Sequence, residues 1–205
     1  MTEYAAVIIG SYLIGSIPWG LIAGRLRGVD VRQYGSGSIG TTNVLRTIGT
    51  KSAIVVLALD VLKGVAAVFI GRYVIGSPTG EMAAGFAAVA GHDWSVFLRF
   101  KGGRGVATTL GCVLAMEPLG PVAGIVVFVI LIALTRYVSL GSICGSLAAV
   151  AAMGAFWAVD RVPWQYFLFI AVAVALIIFQ HRDNISRLLS GTENKLGQKG
   201  EKRQG

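Results

Sequence analysis

Apolar runs about as long as a bilayer crossing alternate along this chain with short polar connections. They fall at 4–23, 52–73, 82–98, 106–116, 118–135, 138–159 and 164–180, followed by a polar tail from 181 to 205. About 20 apolar residues are needed for a helix to cross the hydrocarbon core, so the pattern predicts an all-α integral membrane protein of one domain. Gly15, Pro18 and Gly20 interrupt the first run, as helices packed closely against neighbours in a membrane tolerate. That run has no basic segment before it and reads as a retained helix rather than a cleaved leader. The fourth run, 106–116, would rise only ~16 Å as a helix, and it could merge with the fifth.

Charge parity separates these two readings. Seven spans put Arg25, Arg27, Arg32, Arg46, Lys51, Arg99, Lys101, Arg104, Arg136 and the six tail cations on one side, fifteen against Arg72 and Arg161 on the other. Six spans divide the same cations nine against eight. Cationic loops stay in the cytoplasm. The expectation is therefore seven transmembrane helices, N-terminus outside and C-terminus cytoplasmic. Trp157, Trp164 and Tyr166 then fall near the outer interface, where such rings are favoured.

Composition agrees: 55% of residues are hydrophobic and 14% charged, against about a quarter charged in a soluble domain. The net charge of +8 fits cytoplasmic loops and anionic lipid rather than nucleic acid. Cys112 and Cys144 lie in apolar runs without metal-ligand spacing, so neither a disulfide framework nor a metal site is expected.

In the seven-span arrangement, four polar clusters meet at the cytoplasmic face. GSGSIGTTNVLR (35–46) is rich in glycine and hydroxyls, and Arg46 can grip a phosphate through its fork. Asn43 and Arg46, three positions apart, would share one face of a short helix beginning near Thr41. GHDWSVFLRFKGGRGVAT (91–108) ends an apolar run in the turn Lys101, Gly102, Gly103, Arg104, Gly105. Glycines there let backbone amides crowd an anion beside two cations, although the spacing is not that of a Walker A loop. TRYVSLGS (135–142) brings Ser139, a candidate substrate contact, and HRDNISRLLSGTENK (181–195) brings His181 and Asn184. Inside the spans, Asp60 and Lys63 sit three apart and would neutralise one another. His92 could be functional or merely hydrogen-bonded.

These four clusters, in this order and over almost the whole chain, resemble the bacterial acyl-phosphate-dependent (PlsY-type) glycerol-3-phosphate acyltransferases. The resemblance implies a seven-helix membrane enzyme, with no cofactor, that moves an acyl chain from acyl phosphate to position 1 of sn-glycerol 3-phosphate. The products would be lysophosphatidic acid and phosphate, the first step of phospholipid synthesis. It further implies that Ser36, Arg46, His181 and Asn184 are catalytic and that the turn Lys101–Gly105 cradles glycerol phosphate. Glu193 would be a structural anchor. The family pattern usually has Asn-Pro at Ser38-Ile39, Pro at Ser95 and Lys at Arg104. Asn43 and Ser139 join the substrate-binding set, the partners are glycerol 3-phosphate, acyl phosphate and membrane lipid, and a monomer is expected.

Three other classes fit the residues less well. The H-x-x-x-x-D pair of acyl-CoA-dependent acyltransferases is absent, since Phe97 and Ser186 stand five residues after the two histidines. A small membrane transporter of a phosphorylated or anionic solute is the alternative, but no internal repeat supports it. The carboxylate cluster of a metal-dependent phosphatidyl-alcohol transferase is also missing.

Overall fold

The computed structural model describes residues 1–202, which form ten α-helices. Helices α1 (Thr2–Ser16) and α2 (Trp19–Arg25) are one apolar run broken at Pro18, which has no N–H to continue the ladder. A loop containing a short 3₁₀ turn at Val31–Gln33 leads to α3 (Thr41–Ile48), the helix expected from the Asn43 and Arg46 spacing. Gly49, at φ +90°, then re-aims the chain into α4 (Thr50–Ile75). Gly76 closes α4 in the left-handed region, and its N–H caps the Arg72 carbonyl.

Helix α5 (Pro78–Asp93) starts earlier and stops earlier than the apolar run 82–98. Ser77 caps it by accepting from Gly80 N–H at 3.3 Å, with Pro78 in the first turn. Beyond Asp93 the chain folds back instead of continuing. A 3₁₀ turn at Val96–Leu98 is followed by Arg99 and Phe100, both with positive φ. The returning strand of backbone bonds to the end of α5, Gly102 N–H to Asp93 O at 3.0 Å and Gly103 N–H to His92 O at 2.9 Å.

Helices α6 (Val106–Met116) and α7 (Val122–Thr135) are separate, divided by the turn through Pro118 and Pro121. They precede α8 (Val138–Ala158), α9 (Trp164–Gln180) and α10 (Arg182–Leu189). Thr2–Arg25, Thr50–Ile75 and Val138–Ala158 are long and apolar enough to cross a membrane, and α9 with α10 forms a fourth such unit bent by 58°.

Close crossings hold the bundle together. A Cβ on Gly15 would strike the backbone of Ala88, and one on Gly91 that of Tyr12, so α1 and α5 meet backbone to backbone. Gly111 lets α6 approach Val61 of α4 in the same way. The main core, around Val68, Val89, Cys112, Met153, Phe169 and Ile170, lies between α4, α5, α6, α8 and α9. Outward-facing apolar side chains on α1, α4 and α7, including Ile9, Ile54 and Val129, remain uncovered, a surface suited to lipid.

At the end of α4 a bidentate pair joins Arg72 to Glu81, at 3.0 and 2.8 Å, and Arg72 also donates to Ala115 O at 2.7 Å. Tyr166 O–H donates to the same carboxylate at 2.7 Å. Tyr166 is therefore turned inward and buried, and only Trp157 and Trp164 of the expected interfacial rings are exposed. A partner for its hydroxyl inside the bundle outweighs the headgroup region.

Candidate active site

One cavity of about 450 Å³ opens among α3, α6, α7, α8, α9 and α10. Its two ends differ in chemistry. Ser36, Arg46, Arg104, His181 and Arg187 line a polar end, and Val113, Ile125, Phe128, Ile170 and Val174 line an apolar limb.

The polar end is assembled from loops that the helices hold. Asn43 is buried in α3 and its side chain is committed to the loop before it. Its Nδ2 donates to Val31 O at 2.8 Å and Ser38 O at 2.7 Å, and its Oδ1 accepts from Ser36 N–H at 3.1 Å. Both amide protons are used, so Asn43 shapes the loop that presents Ser36. One turn further along α3, Arg46 donates to Asn194 O at 3.0 Å, while its buried Nε has no partner among the described residues.

Glu193 ties the tail to two helices. Its Oε1 accepts from Ser139 Oγ at 2.9 Å and from Asn184 Nδ2 at 2.7 Å, and its Oε2 accepts from Arg187 Nε at 2.7 Å. Burial pushes this carboxyl up, but the bonds from Asn184, Arg187 and Ser139 win and hold it below its ordinary value. Ser139 reaches the cavity with its hydroxyl donor engaged, and Asn184 with one of its two amide N–H donors engaged. Asn184 keeps a buried Oδ1 without a partner.

His181 is buried between α9 and α10, and its Nδ1 lies 2.8 Å from Ile177 O. A carbonyl only accepts, so Nδ1 carries the proton and Nε2 keeps its lone pair. Burial first, and then the charge of Arg104, lower the imidazole to about 4, which leaves it neutral near pH 7.

Arg104 makes no hydrogen bond to the described residues. Burial lowers its pKa first, followed by the charge of Arg187, with Arg46 acting in the same sense. Guanidinium groups remain protonated under such shifts. Three arginines thus share one cavity end with a carboxylate that already has three donors. The N-terminus of α6 faces the same space. Gly105 takes φ +74° as its cap, no side chain caps the helix, and Val106 and Ala107 line the wall. The net field favours an anion there.

Of the residues expected from sequence, Ser36, Asn43, Arg46, Arg104, Gly105, Ser139, His181 and Asn184 line the cavity. Lys101, Gly102 and Gly103 do not. Lys101 is exposed, and the Gly102 and Gly103 amides are spent on the carbonyls of α5. In this structure the turn reaches the cavity through Arg104 and Gly105. Sequence reasoning missed Arg187 and Asn194 as wall residues. Arg187 stands three positions after Asn184 on α10, a spacing that places both on one face.

Asp60 of α4 and His92 of α5 also line the cavity; Asp60 pairs with Lys63 at 2.8 Å, as their spacing predicts, and Lys63 Nζ also lies 2.8 Å from His92 Nδ1.

Residues 5–191 match the family described as glycerol-3-phosphate acyltransferase. The chain belongs to the glycerol-3-phosphate acyltransferase family. It is 52% identical over 192 residues to the glycerol-3-phosphate acyltransferase of Thermoanaerobacter sp. (strain X514), covering 93% of this chain and 94% of that one. With glycerol-3-phosphate acyltransferase 2 of Moorella thermoacetica it shares 48% identity over 193 residues, 94% of this chain and 97% of the relative. The fold superposes on the crystal structure of PlsY (YgiH), an integral membrane glycerol 3-phosphate acyltransferase, in its glycerol 3-phosphate form. The TM-score is 0.87 at 40% identity, covering 95% of this chain and 96% of that one. The lysophosphatidic acid form gives 0.85 at 39% identity, covering 95% of each. An all-helical integral membrane fold of this acyltransferase family replaces the transporter alternative.

Proposed function

We propose that this protein transfers an acyl chain from acyl phosphate to position 1 of sn-glycerol 3-phosphate at the cytoplasmic face of the bacterial inner membrane. The observation that carries the reading is the two-ended cavity. Arg46, Arg104 and Arg187 surround its polar end, and an apolar limb long enough to take part of an acyl chain continues from it. Between Ser139 and Ala149, both on its wall, α8 rises ~15 Å. A solute phosphate needs the first end alone; a phosphorylated acyl group needs both.

Acyl phosphate is a mixed anhydride, so the task is to orient two phosphorylated substrates and to stabilise charge as phosphate departs. In this reading the glycerol hydroxyl oxygen attacks the acyl carbonyl carbon, the bond from that carbon to the phosphate oxygen breaks, and no acyl-enzyme forms. Ser36 and Arg104 orient the glycerol phosphate, and Arg46 meets the leaving phosphate. His181 Nε2 accepts the hydroxyl hydrogen bond. With a pKa held to about 4, His181 is too weak a base to keep the proton. A phosphate oxygen, whose second pKa is ~6 in monoesters, takes it. Seven spans, with the N-terminus outside, set this end of the cavity at the cytoplasmic surface.

The test is purified protein with acyl phosphate and glycerol 3-phosphate, without acyl-CoA and in the presence of chelator. Lysophosphatidic acid and phosphate should appear in equal amounts. Strict dependence on acyl-CoA would remove the donor assignment, and loss of activity in chelator would remove the metal-free mechanism.

A further inference from the structure

His92 stands at the junction of two features that the reaction just described leaves unused, the charged pair inside the bundle and the Gly102-Gly103 step of the glycine turn. Lys63 Nζ reaches three partners: Asp60 Oδ1 at 2.8 Å, His92 Nδ1 at 2.8 Å and Ile17 O at 3.3 Å. An ammonium has three donors and no lone pair. Toward an ammonium His92 Nδ1 can therefore only accept. The single proton of a neutral imidazole then sits on Nε2. This edge of the ring is turned to Gly103, because a Cβ built there runs into Nε2.

The same residue holds the turn through its backbone, as Gly103 N–H donates to His92 O at 2.9 Å. Gly103 and its neighbour are thus gripped by the last turn of α5, immediately before Arg104. Arg104 has no hydrogen bond of its own among the described residues. Its aim depends on the backbone that carries it. Glycine is required at 103 by the ring that occupies the side-chain direction, not by an anion bound to its amide.

We propose that His92, fixed in one tautomer by Lys63, is a positioning residue that sets the Gly103–Arg104 backbone and so aims Arg104 at the phosphate of the glycerol substrate. The proposal rests on Arg104 being a ligand of that phosphate, as in the reading above. A residue that merely filled space in the bundle would affect both substrates and overall stability alike. A residue acting through Gly103 should be selective and should be coupled to it.

The experiment is a double-mutant cycle on His92→Asn and Gly103→Ala in the full-length protein, with glycerol 3-phosphate and acyl phosphate both varied. Asparagine offers Lys63 an acceptor oxygen near the Nδ1 position, yet has no ring edge to reach Gly103. Each single variant should raise the KM for glycerol 3-phosphate about tenfold, with the acyl phosphate KM unchanged. The double variant should be no worse than either single one, since the added methyl then has room. Multiplying effects, about a hundredfold in the double variant, would overturn the proposal, as would losses shared by both substrates. If His92→Asn does not fold, His92→Gln, whose longer amide still reaches Gly103, takes its place. There Gly103→Ala must remain as damaging as in the parent, and relief would overturn the proposal. Arg104→Ala, measured alongside, separates two kinds of failure. An unchanged glycerol-phosphate KM in that variant removes Arg104 as the phosphate ligand, whereas a raised KM with multiplying effects at 92 and 103 removes only the positioning role.

Discussion

Arg46 donates to the backbone carbonyl of Asn194 at 3.0 Å, joining residues 148 positions apart across the polar end of the cavity. The tail continues over the same end. Leu196 exchanges bonds with Arg136, Leu196 N–H to Arg136 O at 2.7 Å and Arg136 Nη2 to Leu196 O at 2.6 Å. Gly200 N–H then donates to Arg46 O at 3.1 Å, and Gly35 N–H to Glu201 O at 2.9 Å. The strap links the α7–α8 turn to the loop that bears Ser36.

Deleting residues 196–205 should therefore loosen that loop while leaving Glu193 and Asn194 in place. The expected outcome is a severalfold higher KM for one or both phosphorylated substrates, with kcat reduced less, because positioning rather than charge is lost. Unaltered kinetics in the truncated protein would show that the strap plays no part in the site.

Glu193 is held by three donors, and Glu193→Gln puts an N–H₂ where at least one of them points. A buried donor left without an acceptor costs about 1–3 kcal/mol, which should lower Tm by a few degrees in a chain of this size. Activity should fall with it, because Asn184 and Arg187 are both aimed by this carboxylate. Ser139→Ala removes only one donor and should cost about 1 kcal/mol. Thermal unfolding of the detergent-purified variants ranks them; equal stability of Glu193→Gln and the parent would contradict the anchoring role.

His181 gives stability a pH dependence of definite sign. Its folded value, about 4, lies below the ordinary 6.5, so between these values the unfolded chain binds the additional proton. Stability then rises with pH across this window, is complete above it, and is lost as pH falls toward 4. Glu193, also held below its ordinary value, acts in the same direction: its contribution is present above the ordinary carboxylate value and is lost as pH falls through the folded one. His181→Asn should flatten the fall between about pH 6.5 and 5, leaving the lower part to carboxylates. Unfolding midpoints measured across that range in parent and variant provide the comparison, and parallel profiles would exclude His181 as the source.

Topology can be read independently of activity. With seven spans, cysteines introduced as Ser77→Cys and Thr192→Cys should be labelled by a membrane-impermeant reagent from opposite sides, in spheroplasts and in inverted vesicles respectively. Labelling of both from one side would remove the cytoplasmic assignment of the polar end.

Much of the arrangement was legible because its causes are local. The apolar runs reported helices, and the three-residue spacing of Asp60 and Lys63 reported their ion pair, since neither charge is stable alone in hydrocarbon. The spacing of Asn43 and Arg46 likewise reported α3. All four polar clusters contribute to the cavity wall. What hydropathy could not locate was the end of α5. Trp94–Leu98 is as apolar as a helix would be, yet the backbone leaves the helix at Asp93 and returns along it.

Residue chemistry alone dictates an all-helical membrane chain with anion-seeking clusters, because burial against lipid and the need to neutralise charge act on each residue type wherever it lies. Which donors remain available depends on long-range packing. The amides of Gly102 and Gly103, attractive as a phosphate cradle, are taken by the carbonyls of Asp93 and His92. Tyr166, suited to an interface, is drawn inward by Glu81, and Arg187 joins the site through a carboxylate supplied by the tail. Each outcome depends on the acceptor that packing brings within about 3 Å, from elements that the local pattern does not connect.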